Sequence, residues 1–90
     1  MLKPFPSNRF RRDVKIAAKR GLDVEILKKV VGLLENEIPL PERFRDHALT
    51  GDWAGFRECH LRPDWLLIYR VEQERAIFHL ARTGTHSDLF

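Results

Sequence analysis

The chain has 90 residues, of which 43% are hydrophobic and 32% are charged, which is typical of a single folded domain spanning residues 1–90 and excludes a disordered or membrane-embedded chain. Its one cysteine, Cys59, excludes an internal disulfide and fits a reducing compartment. No apolar run is long enough for a signal peptide or a membrane span, so we expect a cytoplasmic protein that does not contact membranes.

The formal net charge of +3 hides an uneven distribution of charge along the chain. Residues 1–34 carry nine Lys or Arg against three acids, a balance of +6, whereas residues 35–90 carry seven against ten, a balance of −3. A basic region of this kind attracts polyanions at long range, which favours RNA, DNA or an acidic protein as partner. A solvated helix face explains many such runs of charge equally well.

Two helices are predicted in the first part of the chain. After a short extended segment around residues 3–5, Ser7 or Asn8 can cap a first helix that ends at Gly21. Asp23 can cap a second helix, which should end near Asn36 because prolines follow it. Apolar residues recur at helical spacing in both segments, at Phe10, Val14 and Ala17 and at Leu27, Val30, Val31 and Leu34.

Three aromatic and β-branched runs in the second part of the chain predict strands, at residues 53–61, 65–71 and 76–83. Turn-forming segments at residues 62–64 and 72–74 join them into an antiparallel meander. The sequence therefore predicts an α+β fold with the element order β-α-α-β-β-β. We expect the helical hairpin to pack on one face of a small antiparallel sheet and to leave the other face partly open.

Three histidines lie in short polar segments that we expect to be outside helices. His47 lies in D-H-A-L-T-G, His60 in E-C-H-L-R-P-D-W, and His86 in R-T-G-T-H-S-D-L-F. Histidine acts as both acid and base near neutral pH, so this set indicates proton-transfer chemistry.

Asp64 follows His60 at a distance of four residues, with Pro63 between them. The proline and the strand pattern place the pair at a hairpin, where the carboxylate can fix the tautomer of His60. An aspartate in a hairpin is more often only a turn former, so the spacing by itself is weak support.

A zinc site is the obvious rival use of three histidines and an aspartate, but the sequence lacks a compact pair of ligands. Cys59 and His60 are adjacent and point to opposite faces of a strand, which also argues against a Cys-His nucleophile pair. His79 has no companion motif and is interpreted as a structural or surface histidine. No glycine-rich loop is present to hold a nucleoside triphosphate.

Three segments of the second half carry a family resemblance. Residues 46–65 read D-H-A-L-T-G-D-W-A-G-F-R-E-C-H-L-R-P-D-W, and they are followed by L-L-I-Y-R and later by R-T-G-T-H-S-D-L-F. Together they resemble the YafQ branch of the RelE/ParE toxin superfamily, and the resemblance extends over nearly the whole chain. It implies the toxin of a type II toxin–antitoxin system with a RelE-like fold. The expected activity is a ribosome-dependent endoribonuclease that cuts mRNA in the A site and inhibits translation, using the 2′-hydroxyl and no metal or other cofactor.

The same resemblance implies partners and residue roles. An acidic antitoxin of the DinJ or RelB kind is expected, with operator DNA bound only through the antitoxin complex. His86 is expected to be the general acid, while His60, supported by Asp64, and His47 are candidates for the base and for phosphate contact. The expected substrate contacts are Arg82 on the phosphate, Phe90 stacked on a base, and Trp65. The positive charge of residues 1–34, and not the resemblance, adds the first-helix cations Arg11, Arg12 and Lys15 as RNA contacts.

Two other functions share this fold. One is a ParE-like gyrase-inhibiting toxin, although its relatives generally lack this set of histidines. The other is a catalytically weak chain that binds antitoxin and operator DNA, which a single sequence leaves open.

Overall fold

The computed structural model describes all 90 residues and places the two predicted helices at Asn8–Lys19 (α1) and Val24–Glu35 (α2). The side chains of Ser7 and Asp23 each accept a hydrogen bond of 3.0 Å from a backbone N–H in the first turn. Both helices therefore begin at predicted caps. Gly21, with φ of +81°, turns the chain between them in a conformation that favours glycine.

One sheet of five strands carries the helices, with the strands in the order β1-β5-β4-β3-β2. The strands are β1 (Lys3–Pro6), β2 (His47–Ala48), β3 (Arg57–Arg62), β4 (Trp65–Glu72) and β5 (Ile77–Gly84). The last three form the predicted antiparallel meander. The α+β fold is therefore confirmed.

The two edge strands add pairings that were not predicted from the sequence. β1 runs parallel to β5, with Lys3 opposite Ile77, so the sheet is not purely antiparallel as expected. The long connection through both helices and strands β2 to β4 permits this parallel pairing. The short β2 pairs antiparallel with β3 and sets His47 opposite Glu58. This second pairing, which the sequence pattern did not predict, brings the first of the three histidines onto the sheet.

Side chains alternate between the two faces of β4 and build two apolar clusters. Trp65, Leu67 and Tyr69 join the larger cluster under α1 and α2. Leu66 and Ile68 join a smaller cluster, which also includes Leu89 and is packed by Leu49, Trp53 and Phe56. The face opposite the helices is thus partly covered.

A short third helix, α3, spans His86–Leu89. The expectation that none of the three histidines lies in a helix is therefore wrong for His86, which is the first residue of α3. Thr85 and Asp88 form a capping box that makes this turn of helix possible. None of the helices combines the length and apolar character that crossing a membrane requires.

Candidate active site

The fold brings the three sequence-predicted histidines together at one end of the meander. The ring centroids of His47 and His60 lie 6.1 Å apart, and those of His60 and His86 lie 5.8 Å apart. His47 arrives on β2, His60 on β3 and His86 on α3. His60 lies between the other two.

Asp64 contacts His86 and not His60. Its Oδ1 lies 2.6 Å from Nδ1 of His86 and accepts a hydrogen bond of 2.9 Å from the backbone N–H of the same residue. These two donors from His86 hold the pKa of Asp64 below its ordinary value, so the carboxylate is ionised near neutral pH. The expectation that Asp64 supports His60 is wrong, because the β3–β4 turn presents Asp64 to the start of α3.

Glu58 is the carboxylate that supports His60. It is 4% exposed, and its Oε1 lies 3.2 Å from Nε2 of His60 and 3.6 Å from Nε2 of His47. Glu58 was not among the site residues predicted from the sequence. The signal was present, since Glu58 and His60 are two residues apart on one strand and must share a face.

His47 and His86 each have one ring nitrogen hydrogen-bonded to an oxygen, and this fixes which nitrogen carries the proton in the neutral ring. Nδ1 of His47 lies 2.6 Å from the backbone carbonyl oxygen of Arg45, which can only accept, so Nδ1 carries the proton. Asp64 acts in the same way on Nδ1 of His86, at 2.6 Å. In the neutral rings, the lone pairs are then on Nε2 of His47 and Nε2 of His86, while Nε2 of His60 lies 3.2 Å from Oε1 of Glu58.

Arg45 has a left-handed backbone, with φ of +49°, which is costly for a residue with a side chain. The neighbouring Asp46 is held by two donors, the hydroxyl of Tyr69 and Nε of Arg57, the latter at 3.2 Å. Burial, followed by the hydrogen bond to Asp46, raises the pKa of Tyr69 above its ordinary value, so the phenol keeps its proton. These contacts fix the segment that presents the Arg45 carbonyl to His47.

The same cluster contains three groups that are able to ligate a cation. His47, Glu58 and His60 each offer one ligand atom, and these atoms all lie within 4.8 Å of one another. Imidazole nitrogens together with a carboxylate form a donor set that suits a transition metal ion. The sequence contains no H-x3-H or C-x2-C pair, because the two ligands on β3 are Glu58 and His60 and the third, His47, comes from β2.

Two residues expected to contact substrate have other positions in the structure. Trp65 is 1% exposed and packs in the core below the helices, so the expectation of a substrate contact is wrong. Strand alternation separates it from its neighbour Asp64. Arg82 donates from two nitrogens to Asp13, at 2.8 and 3.0 Å. As folded here, this guanidinium binds a carboxylate of α1 rather than facing a substrate phosphate, contrary to expectation.

The remaining expected contacts are exposed. Phe90 keeps 63% of its surface accessible and is anchored by its backbone N–H on the carbonyl oxygen of His86, at 2.8 Å. Arg11, Arg12 and Lys15 lie on the exposed surface of α1. These four side chains are free to meet a ligand.

Comparisons with known proteins agree with the fold and with the resemblance seen in the sequence. The family described as the bacterial toxin of type II toxin–antitoxin system, YafQ, matches residues 2–90. The mRNA interferase toxin YafQ of Escherichia coli strain K12 is 44% identical over 85 residues, which are 93% of this chain and 90% of that protein.

Solved structures agree as well. A crystal structure of a metal-bound toxin from Helicobacter pylori superposes with a TM-score of 0.94 at 46% identity and covers 100% of both chains. YafQ in a crystal structure of the Escherichia coli DinJ–YafQ complex superposes with a TM-score of 0.90 at 41% identity, covering 100% of this chain and 99% of that one. This chain therefore belongs to the YafQ family of toxins of bacterial type II toxin–antitoxin systems.

Proposed function

We propose that this protein is an endoribonuclease that cuts mRNA in the ribosomal A site by acid–base catalysis and so inhibits translation. The observation that carries the proposal is the His86–Asp64 pair, with Nδ1 to Oδ1 at 2.6 Å and the ring of His60 at 5.8 Å. The similar Escherichia coli toxin is named an mRNA interferase, which supports mRNA as the substrate.

In the proposed reaction the nucleophile belongs to the RNA. A histidine nitrogen takes the proton of a ribose 2′-hydroxyl, and the 2′-oxygen attacks the adjacent phosphorus. The bond from phosphorus to the 5′-oxygen breaks, and this oxygen receives a proton from Nε2 of His86. The products are a 2′,3′-cyclic phosphate and a 5′-hydroxyl end.

In the proposed mechanism His86 acts in its doubly protonated form, and Asp64 fixes the ring through Nδ1 so that Nε2 carries the proton that is transferred. The base is drawn from the two neighbouring rings of the cluster, His60 and His47. Positive charge on these rings offsets the charge that builds on the phosphate. We assign to exposed Phe90, whose backbone N–H is bonded to the carbonyl oxygen of His86, the role of stacking on a base beside the cut.

The proposed reaction requires no metal, because two histidines can supply both proton transfers. A cation held by His47, Glu58 and His60 would supply Lewis acidity at the phosphate. It would also occupy nitrogens that the proposal uses for the base. Protein that is stripped with EDTA and then freed of the chelator is therefore expected to cut as fast as untreated protein in an assay that supplies Mg²⁺ to the ribosome. Loss of cleavage after stripping and recovery with added Zn²⁺ or Cu²⁺ would contradict metal independence.

The proposed partners follow from charge. The exposed cations Arg11, Arg12 and Lys15 on α1 are assigned to ribosomal and messenger RNA. The similar chain in the DinJ–YafQ complex supports an antitoxin as the second partner. We assign to this chain an acidic antitoxin that covers basic and apolar surface of the helices, with operator DNA bound only by the complex.

The test is a single-turnover assay with purified ribosomes, an mRNA and the variant His86→Gln. We expect cleavage to fall by roughly 10²-fold or more, the usual scale for loss of a general acid, while ribosome binding stays unchanged. His79→Gln is the matched control, since that ring packs on Phe5 at 6.2 Å, away from the other histidines. His47→Gln and His60→Gln, compared in the same assay, identify the base.

Sequencing of mRNA 5′ ends locates the cuts relative to the A site, and the chemistry of the ends reports the mechanism. A cyclic phosphate is expected on the upstream fragment. Wild-type rates in the His86→Gln protein would falsify the assignment of the acid, and equal cleavage of ribosome-free and ribosome-bound mRNA would remove the ribosome from the proposal.

A further inference from the structure

A pocket of about 430 Å³ opens between α2, the turn that precedes β2 and the end of β3. Its walls include four cationic side chains, Lys29, Arg43, Arg45 and Arg62, together with His60. None of the four cations is among the substrate contacts expected from the sequence. The pocket is thus a basic cavity that shares one wall residue with the candidate active site.

The four cations are not neutralised by the protein. All four are exposed, and none lies within ion-pair distance of a carboxylate, whereas Arg82 is bound to Asp13 at 2.8 Å. Like charges around one cavity repel one another and raise the local potential for anions. An anion bound there would relieve that repulsion.

The pocket is built into the same segment that positions His47. The carbonyl oxygen of Arg45 lies 2.6 Å from Nδ1 of His47, and the side chain of Arg45 lines the pocket. The guanidinium of Arg43 lies 4.8 Å from the ring centroid of the buried Phe44, which restrains its position. Beyond His60, the register of β3 shifts before Arg62, as is common beside functional sites.

We propose that this pocket binds a backbone phosphate of the substrate RNA, next to the phosphate that is cut. The inference rests on the proposed function and adds a second contact point to it. The pocket shares His60 with the histidine cluster, so an RNA strand that is cut there passes the pocket within a short stretch of its backbone. No carboxylate lines the pocket and its only aromatic ring besides His60, Phe44, is buried, which favours a phosphate over a base.

The test compares two double variants of the full chain that remove the same charges. The variant Lys29→Gln/Arg62→Gln removes two of the positive charges that line the pocket. The control Lys3→Gln/Arg9→Gln removes one exposed lysine and one exposed arginine elsewhere, and neither of these forms an ion pair. The probe is a 2′-O-methyl oligoribonucleotide, which binds and cannot be cut. At low salt we expect the pocket variant to lose roughly tenfold or more in affinity and the control to stay within about twofold.

The salt dependence adds a second readout. Loss of the one phosphate contact should make the slope of log affinity against log salt less steep by about 0.7, the contribution of each phosphate contact with a single strand. A set of oligonucleotides with one neutral methylphosphonate at successive positions then locates the phosphate. A methylphosphonate at one position should weaken binding to the wild-type protein and have little further effect on binding to the pocket variant.

Equal affinities of the two double variants, or the absence of any coupled methylphosphonate position, would overturn the assignment to the substrate strand. These results do not depend on cleavage, since the probe cannot react. A wild-type protein that binds the probe through the pocket and cuts no mRNA would contradict the proposed function and leave the pocket assignment intact.

Discussion

Trp65 follows Asp64 directly in the chain, yet the two side chains lie in different environments. Asp64 faces His86 at the end that carries the three histidines, whereas Trp65 is 1% exposed in the helix-covered core. Its indole N–H has no hydrogen-bond partner, which is unfavourable for a buried donor. Trp65 therefore contributes packing area to the fold, and its N–H takes no part in the chemistry.

Trp65→Phe is expected to leave cleavage and RNA affinity within about twofold of the wild type. Its free energy of unfolding should fall by about 1–3 kcal/mol, since the cavity that is left outweighs removal of the unpaired N–H. Urea unfolding and single-turnover cleavage measure the two quantities. Asp64→Asn, at the neighbouring position, is an informative comparison with Trp65→Phe. It should show the opposite pattern, with slow cleavage and a nearly unchanged free energy of unfolding.

At the scale of elements, α3 is the segment that orients the proposed acid. This helix has only four residues, and contacts at its start hold it in place. Asp88 accepts from the backbone N–H of Thr85 at 3.0 Å and from Nη1 of Arg20 at 2.7 Å. A Cβ added to Gly84 would lie 2.9 Å from Oδ2 of Asp88, so any side chain there would displace this carboxylate.

Asp88→Asn tests this arrangement. Arg20, followed by the Thr85 N–H, holds the pKa of Asp88 far below its ordinary value, so the native state favours the ionised form. Its stabilising effect is therefore complete well above about pH 3.9 and declines as the pH falls below that value. We expect the variant to lose about 1 kcal/mol at pH 7, the usual scale of a helix cap, and to cut more slowly because His86 is displaced.

Urea unfolding at several pH values measures the difference between the two proteins, which should narrow from pH 5 to pH 2. Ser87→Ala changes an exposed neighbour in the same helix and serves as the control. A constant difference across that range would show that ionisation of Asp88 is not what holds α3.

The features of these elements that were predicted from the sequence depend on local signals. The caps at Ser7 and Asp23 and the alternation in the meander depend on residues close in the chain, so they could be read directly. The parallel pairing of β1 with β5 and the two residues of β2 depend on distant partners. No local pattern encodes these pairings.

The candidate site, too, was only partly predictable from the sequence. His47, His60 and His86 were identified by type and motif, but their carboxylate partners were not. The partner of His86 lies 22 residues away in the sequence, and proximity in the chain had assigned it to His60. Only Glu58 could have been found from the sequence, through strand alternation.

Over the whole molecule, basic residues and apolar surface meet on the helices. A groove of about 780 Å³ lies between α1, α2 and β1, with a floor that includes Val14 and Val31. Arg11 and Lys15 line it as well. The walls contain none of the three histidines, so a partner bound here acts on a surface separate from the chemistry. This separation allows binding and cleavage to be changed independently.

Reversal of the α1 charges by Arg11→Glu, Arg12→Glu and Lys15→Glu is expected to weaken ribosome binding. The loss should be greater at low salt than at high salt, because screening shortens the reach of exposed charges and counterion release contributes less. Affinity for purified ribosomes at two salt concentrations measures the effect, with His86→Gln as a variant that should bind like the wild type. Equal affinity of the charge-reversed and wild-type proteins at low salt would show that α1 lies outside the RNA interface. Its cations would then be assigned to contact with the antitoxin alone.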